Sequence, residues 1–492
     1  MPTPVEFFLA KYKKNVIINL SNNLSILEEV HYMSNFWDTS VWGEINVIAV
    51  LLLSLLVASL LKKGIRLLKE SLIPTSVLAG GILLAISAIY KLFSGHGMFV
   101  TSFFGGDGVS ILEIITYHAL ALGFISSTFE SSDEKRSKTR QIEIFNTGIT
   151  TVSTYLVQAM VGLGITLIAS KLITDFFPAA GIILPFGYGQ GTGQAMNYGT
   201  IYETEYGFIG GKSFGLTIAA AGFISGSIGG VLHLSWLRRK KKVVKQDAGT
   251  MKTAMERPFR QDEIPIFENM DTLSVQFAFI IGSYFITYII IYILGALIPG
   301  LKSVIYGFNF LIGVLVTTGV KKLLKTLEEK NILKKHYVND FLMIRIRNFF
   351  YDIMVVAGIS AIHLSALGKY IVVLVIICVL GAIATFAYNR IVAKTLFKDY
   401  AEEQFIAMYG MLTGTASTGI ILLRELDVNF KTPVSDNLVF QNFPAIIFGF
   451  PLMIIAASAP EFPKQALLIV IVFFIILNII LFRSKIFKHY KK

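Results

Sequence analysis

Eleven long apolar stretches recur along this chain of 492 residues, at about 43–61, 77–93, 109–127, 145–174, 211–236, 273–298, 303–320, 349–366, 369–389, 438–458 and 466–482. A helix of about 20 mostly apolar residues crosses the hydrocarbon core of a bilayer. Lipid offers backbone groups no partner, so each stretch has to satisfy its own N–H and C=O groups as an α-helix. Composition enters only to confirm the class: 54% apolar residues, 15% charged residues and a mean hydropathy of +0.65 lie outside the range of soluble domains. The sequence therefore predicts an all-α polytopic membrane protein whose first partner is the lipid bilayer. The single cysteine, Cys378, sits inside an apolar run, which excludes a disulfide framework or a cysteine metal site within one chain. Residues 1–42 carry Lys11, Lys13 and Lys14 and then turn polar, so they read as an amphipathic lead rather than a secretory signal.

Charge sets the orientation. The connections after the first, third, fifth, seventh, ninth and eleventh stretches carry "KKGIRLLK", "DEKRSKTR", "RRKKKVVK", "KKLLKTLEEKNILKK", "NRIVAKTLFK" and "RSKIFKHYKK", while the alternate connections hold isolated lysines such as Lys91, Lys302, Lys369 and Lys464. Basic loops stay on the cytoplasmic side. The expectation is a plasma-membrane protein with a cytoplasmic C-terminus, and the net charge of +12 is a mark of topology. Charges spread over separate short loops do not make a nucleic-acid surface, so no nucleic-acid partner is expected.

Two segments break the series: 178–207, "PAAGIILPFGYGQGTGQAMNYGTIYETEYG", and 400–427, "YAEEQFIAMYGMLTGTASTGIILLRELD". Each has two short arms around a tip rich in glycine and hydroxyl residues. If each dips in and returns to the same side, the alternation of basic loops survives. Five spans with a re-entrant hairpin between the fourth and fifth, starting outside, are then followed by five spans with a hairpin at the same place, starting inside. That is an inverted-topology repeat, and broken segments at matching places in two halves point to a transporter's binding site. The resulting division is lead 1–42, first repeat 43–237, cytoplasmic linker 238–271, second repeat 272–458, and one extra C-terminal span with a basic tail at 459–492.

Irregular backbone at membrane depth is tolerated only where protein or a watery cavity surrounds it. Gly187, Gly189, Gly191, Gly193 and Gly199 permit positive φ and close approach, and Gln190, Thr192, Gln194 and Asn197 offer neutral donors and acceptors. The second tip supplies Gly410, Gly414 and Gly419 with Thr413, Thr415, Ser417 and Thr418. Such groups suit a small solute and a dehydrated sodium ion. Thr192, Asn197, Gly410 and Thr415 are the candidates for the ion; Gly189, Gly191, Thr192, Gly193, Gln194, Asn197, Gly414, Thr415, Ser417 and Thr418 are those for the solute. Arg424, at the end of the "IILL" arm, is either a carboxylate clamp or an interfacial charge paired with Glu425 or Asp427. His118 reads as a neutral histidine bonded to a carbonyl, and His233 and His363, near span ends, carry no assigned role. Absence of HExxH and GxxxxGK[ST] patterns predicts no enzyme and no cofactor beyond a coupling ion.

Several of these elements are similar to those of the bacterial sodium/glutamate symporters. "SLIPTSVLAGGIL" (71–83) resembles that family's "IPEPVxGGLL", "GYGQGTGQA" (187–195) resembles its "SGGHGTxAA" hairpin motif with Gln190 in place of the histidine, and "GFISGSIGGVLHLSWLRRK" (222–240) resembles its "GLxxGGLIGGPxARxL" span. The likeness covers about 43–240. In the second half "YGMLTGTASTGIILL" matches "GFGLGATPTAxANM" only through Gly410, Gly414 and Thr415, and the eleventh span departs from a ten-span form. The resemblance implies a secondary carrier that imports L-glutamate with sodium, working as a homodimer in which a hairpin-bearing domain moves against a scaffold. A sodium-coupled di- or tricarboxylate carrier and a hairpin-lined channel remain as alternatives.

Overall fold

A computed structural model of the chain describes residues 36–130, 137–240, 270–333, 337–427 and 430–486. Most of the N-terminal lead and most of the linker read at 238–271 lie outside the described residues. Every regular element among the described residues is helical. Eight helices are long and apolar enough to cross a membrane, and ten spans result if two bent pairs count as one each. The protein is thus an all-α, multi-pass membrane protein. Large side chains such as Leu56, Leu60, Phe285, Tyr292, Val372, Val379, Leu468 and Ile475 stay exposed on these helices, because lipid, unlike water, imposes no cost on an apolar outer face.

The helices are α1 (Thr39–Gly64), α2 (Thr75–Ser94), α3 (Gly108–Phe129) and α4 (Lys138–Leu172), then the short α5 (Leu184–Gln190) and α6 (Thr192–Tyr206), then α7 (Gly211–Arg239). The second half holds α8 (Thr272–Leu297), α9 (Lys302–Gly307), α10 (Asn309–Glu329), α11 (Asp340–Ser360), α12 (Ile371–Leu396), the short α13 (Ala401–Thr413) and α14 (Ala416–Arg424), and α15 (Val434–Phe440), α16 (Asn442–Ser458) and α17 (Pro463–Leu481). Local chemistry fixes many of the ends. Asp107, Ser137, Asp271 and Asn339 each accept a hydrogen bond from an N–H in the first turn of α3, α4, α8 and α11, which satisfies one of the donors a helix start leaves over. Gly95 and Gly207 close α2 and α6 in the left-handed region.

Three expected spans are drawn differently. The stretches read at 303–320 and 438–458 are bent pairs, α9 with α10 at 73° and α15 with α16 at 48°. The span read at 349–366 begins at Asp340 and ends at Ser360, so it carries Arg345, Arg347 and Asp352 within the helix and is not one of the eight apolar candidates. Its charge is tolerated because Arg347 donates to both carboxylate oxygens of Glu130, at 2.6 and 2.9 Å, beyond the end of α3.

Packing sorts the helices into two groups. In one, α1, α2, α3, α8, α10 and α11 pack on one another, with α3 against α11 the most extensive contact. In the other, α4, α7 and α12 pack around the two pairs of short helices, and α16 and α17 pack on α4. Each group draws on both halves of the chain. The α6 helix is the main element that touches both, lying on α7 on one side and on α3, α9 and α11 on the other.

Candidate functional site

Both pairs of short helices double back. Phe186 and Tyr198 stack with ring centroids 4.0 Å apart across the first break, and a Cβ placed on Gly410 would lie 3.0 Å from the Cα of Gly419 across the second. Continuous helices would hold residues nine to twelve apart at about 13–18 Å. The first break is at Gly191, with φ +85° and ψ −169°, a region that only glycine enters without strain. The other four tip glycines have ordinary backbone angles and serve proximity instead: Gly187 lies against Ile218, Gly189 against the Tyr155 ring, Gly193 against Leu120 and Met354, and Gly199 against Gly211. At the second break Gly414 has φ −148° and ψ −108°, and the extended Thr415 caps α14 by accepting from the Thr418 N–H at 3.4 Å.

Two long helices hold the breaks together. On α4, the Tyr155 hydroxyl donates to the Gly189 carbonyl at 3.2 Å, and the Gln158 amide donates to the Leu412 carbonyl at 2.8 Å. Those residues are three apart, one turn of helix and about 4.5 Å of rise, so the last turns of α5 and α13 end at nearly the same level on one face. On α7, Tyr188 from the first hairpin reaches the Ser225 hydroxyl at 3.3 Å, and Tyr409 from the second donates to the Ser225 carbonyl at 3.1 Å. Close approach makes this possible: a Cβ on Gly222 would stand 2.5 Å from the Thr413 carbonyl oxygen and 2.9 Å from the Tyr188 ring.

Other side chains singled out from the sequence fall into three places. Thr192 donates to the Met354 carbonyl at 3.2 Å and Asn197 to the Gly307 carbonyl at 3.1 Å, so both tie α6 to the α3/α11 group. Gln194 is 1% exposed and neither amide atom has a partner among the described residues. It sits in the first turn of α6, whose N-cap, Gly191, supplies no side-chain bond. The first-turn N–H groups therefore point past Gly191 with the positive end of the helix dipole behind them. Ser417 is exposed at the second tip while Thr418 beside it is buried. Gly410 packs on Leu422 and Gly419 inside its hairpin. Arg424 stands apart: it closes α14, over the Phe430 ring at 5.6 Å, nine residues from Thr415. Glu425 beside it accepts from Arg238 at 2.6 Å, and Asp427 accepts from the Lys431 and Thr432 N–H groups.

The histidines also gain partners. His118 lies 2.6 Å from the Tyr284 hydroxyl rather than on a carbonyl. His233, without an assigned role until here, is 3.0 Å from Glu402 at the base of the second hairpin, where Arg390 of α12 grips both carboxylate oxygens. That cluster fixes the hairpin base to α7 and α12.

The residues sequence reasoning passed over are Tyr155, Gln158, Thr385 and Asn389. A signal existed: Thr147, Thr150, Thr151, Thr154 and Gln158 recur at helical spacing through an otherwise apolar span, all buried. What that arrangement offers chemically is a neutral, oxygen-rich interior beside an uncapped helix start, the side-chain groups at the tips being hydroxyls and amides. Comparison of the chain with family models, curated proteins and solved structures returns no match.

Proposed function

We propose that the protein is a secondary active transporter that couples sodium entry to import of L-glutamate or a related small carboxylate by alternating access. In this reading the two doubled-back pairs are re-entrant hairpins in an inverted-topology repeat, the α3/α11 group is a scaffold through which two copies pair as a homodimer, and the α4/α7 group with its hairpins moves against it in the plasma membrane, C-terminus inside. One observation carries it: two broken helical pairs, with their breaks 223 residues apart in sequence, meet break to break on a single turn of α4. A stable core would gain nothing from broken backbone at that depth, whereas a binding site needs it.

Roles follow from the geometry. The uncapped first turn of α6 and the free Gln194 amide would receive the substrate carboxylate, because N–H groups and the positive dipole end favour an anion. Thr415, Ser417 and Thr418 at the second tip would close on the solute from the other side. Arg424 is too far along α14 to serve as a clamp, so the charge of the solute is met by backbone. The reading is of a carrier and not an enzyme, the tips offering hydroxyls, amides and backbone groups suited to holding a solute.

The test is uptake of radiolabelled L-glutamate by proteoliposomes of the purified protein, with and without an inward sodium gradient. Gradient-dependent accumulation is expected. Flux that ignores sodium and does not saturate would make the hairpins a channel lining; no uptake by folded protein would remove glutamate, and competition among di- and tricarboxylates would then find the solute.

A further inference from the structure

The coupling ion was expected at the hairpin tips themselves, on Thr192, Asn197, Gly410 and Thr415. There Thr192 and Asn197 donate to carbonyls of the α3/α11 side, and Thr415 caps α14. A different cluster has what a cation needs. On α4, Thr154 and Gln158 are one turn apart; on α12, which packs along α4, Thr385 and Asn389 are one turn apart. All four are 0–1% exposed. The Gln158 amide nitrogen gives one hydrogen to the Thr385 hydroxyl at 2.9 Å and the other to the Leu412 carbonyl at 2.8 Å. The Asn389 nitrogen gives one to the Thr385 carbonyl at 2.9 Å and one to the Thr154 hydroxyl at 3.3 Å. Thr385 gives its own hydrogen to Gly381, and Thr154 gives its own to Thr150.

Every donor in the cluster is spent, and two acceptors are left: Gln158 Oε1 and Asn389 Oδ1 have no partner among the described residues. Which end of each amide is oxygen is fixed, because the nitrogens face carbonyls, which can only accept. Two amide oxygens with nothing to receive are a deficit of positive charge, and burying them so is costly unless something supplies it. The Leu412 carbonyl adds to the deficit. It lies in the last turn of the 13-residue α13, at the negative end of that helix's dipole.

We propose that Gln158 Oε1, Asn389 Oδ1 and the Leu412 carbonyl hold a dehydrated monovalent cation, sodium, between α4, α12 and the broken end of α13. The ligands are all neutral, which suits a single charge; a divalent ion would ask for carboxylates. Oxygen continues along α4 toward its basic start: Thr147 accepts from Gln404, whose own amide oxygen accepts from Asn437, each at 3.3 Å, and Asn437 and Gln441 again leave an amide oxygen unpartnered. From Thr147 to Gln158 this seam runs about 16 Å, at 1.5 Å per residue, and it offers an ion successive ligands between the start of α4 and the breaks. Coupling then has a simple form. An ion that pulls Leu412 onto α4 sets the end of α13, and so the second break, at the level where Tyr155 holds the first. This role in coupling rests on the carrier reading; occupancy of the site does not.

Thermal unfolding of the full-length protein in detergent, in sodium chloride against choline chloride at equal ionic strength, with direct ²²Na⁺ binding beside it, tests the site. The wild type should be stabilised by sodium and not by choline. Asn389→Leu should weaken the half-saturating sodium concentration about tenfold or more, the loss of one ligand oxygen. Gln158→Glu, which loses the bond to Leu412 but adds a charge, should be less stable than wild type in choline and should gain more from sodium than wild type does. The second variant keeps the test sharp if the first folds poorly. Equal sodium responses in wild type and both variants would overturn the site, and so would a folded wild type that neither binds sodium nor is stabilised by it, the cluster then holding only a buried water. Sodium-driven glutamate uptake by wild-type proteoliposomes separates the two failures: uptake with an unmoved sodium response in the variants leaves the carrier and removes this site, whereas binding without uptake leaves the site and removes glutamate.

Discussion

Gly191→Ala isolates the first break from everything around it. A Cβ at Gly191 would meet only Met354 Cε, at 3.8 Å, an ordinary contact, so the substitution adds no clash. Its whole cost comes from φ +85° and ψ −169°, which for an L-residue with a side chain is about 1–3 kcal/mol. Against a typical folding stability of about 5–15 kcal/mol the protein stays folded, and the cheapest response is for the break to relax toward ordinary angles, turning the first turn of α6 away. If that turn receives the substrate, the population with a competent break falls by a factor of about 5 to 150. Initial sodium-driven uptake should fall by that factor while the thermal midpoint moves only a few degrees. Gly222→Ala gives the contrast: its helix angles are ordinary, but the Cβ would stand 2.5 Å from the Thr413 carbonyl oxygen and press on Tyr188, so it should lower the thermal midpoint and the yield before it alters transport. Uptake by Gly191→Ala within about twofold of wild type would show that the break is not held in its strained form for function.

Three more expectations are distinct in kind. Gln194→Leu removes two buried atoms that have no hydrogen-bond partner among the described residues, so its thermal midpoint should equal or exceed that of wild type, while loss of a hydrogen bond to a charged solute lowers apparent affinity about tenfold or more; unchanged affinity would take Gln194 out of the site. Arg424→Gln should leave the half-saturating substrate concentration unchanged, because nine residues of α14 set its backbone about 13 Å from that of Thr415, and a tenfold weakening would place its charge in the site after all. Burial pushes the Glu130 carboxyl from its ordinary 4.5 up to about 7, with Arg347 beside it pulling the other way. A folded value above the unfolded one gives stability that is complete below about pH 4.5 and lost as pH rises through about 7. The thermal midpoint of Glu130→Gln should therefore gain on wild type between pH 5 and pH 8, and parallel pH profiles for the two would refute the assignment.

The spans were legible because hydropathy integrates over about 20 residues and tolerates local error. So were both breaks, since a lipid-facing helix has no use for "GYGQGTGQ" or "GMLTGTASTG". The helix at Asp340–Ser360 begins before the apolar stretch for an electrostatic reason: Arg345 and Arg347 lower the hydropathy of its first turns, whereas Glu130 from another part of the chain pairs with Arg347 within the fold. Basic residues such as Lys138, Arg140, Arg390 and Lys394 likewise lie inside α4 and α12 rather than in the connections, where long side chains can still reach out of the bilayer. Gln158 and Asn389 were invisible one at a time. A single amide in an apolar window costs little in hydropathy, and its meaning appears only when a residue more than 200 positions away stands opposite.

What remains is how a molecule tied together so closely could move. Hydrogen bonds from α4 and α7 join both hairpins to each other, and the Glu402 cluster fixes the base of the second to α7 and α12. Opening one hairpin alone would break several of these at once, inside a medium that offers no replacement. The ties between the two helix groups are sparser. Thr192 to Met354 and Asn197 to Gly307 join them at α6, Lys212 to Glu113 at 2.7 Å joins α7 to α3, and the Ser213 hydroxyl accepts from the His363 N–H at 3.0 Å near the start of α7. Three of these four have a backbone partner, and a carbonyl or N–H that loses one side chain can be met by another a turn further along the same helix. The boundary across α6 is thus where a shift costs least, and a group that slides there carries both breaks, the Gln194 amide and the Gln158 and Asn389 oxygens with it as one body.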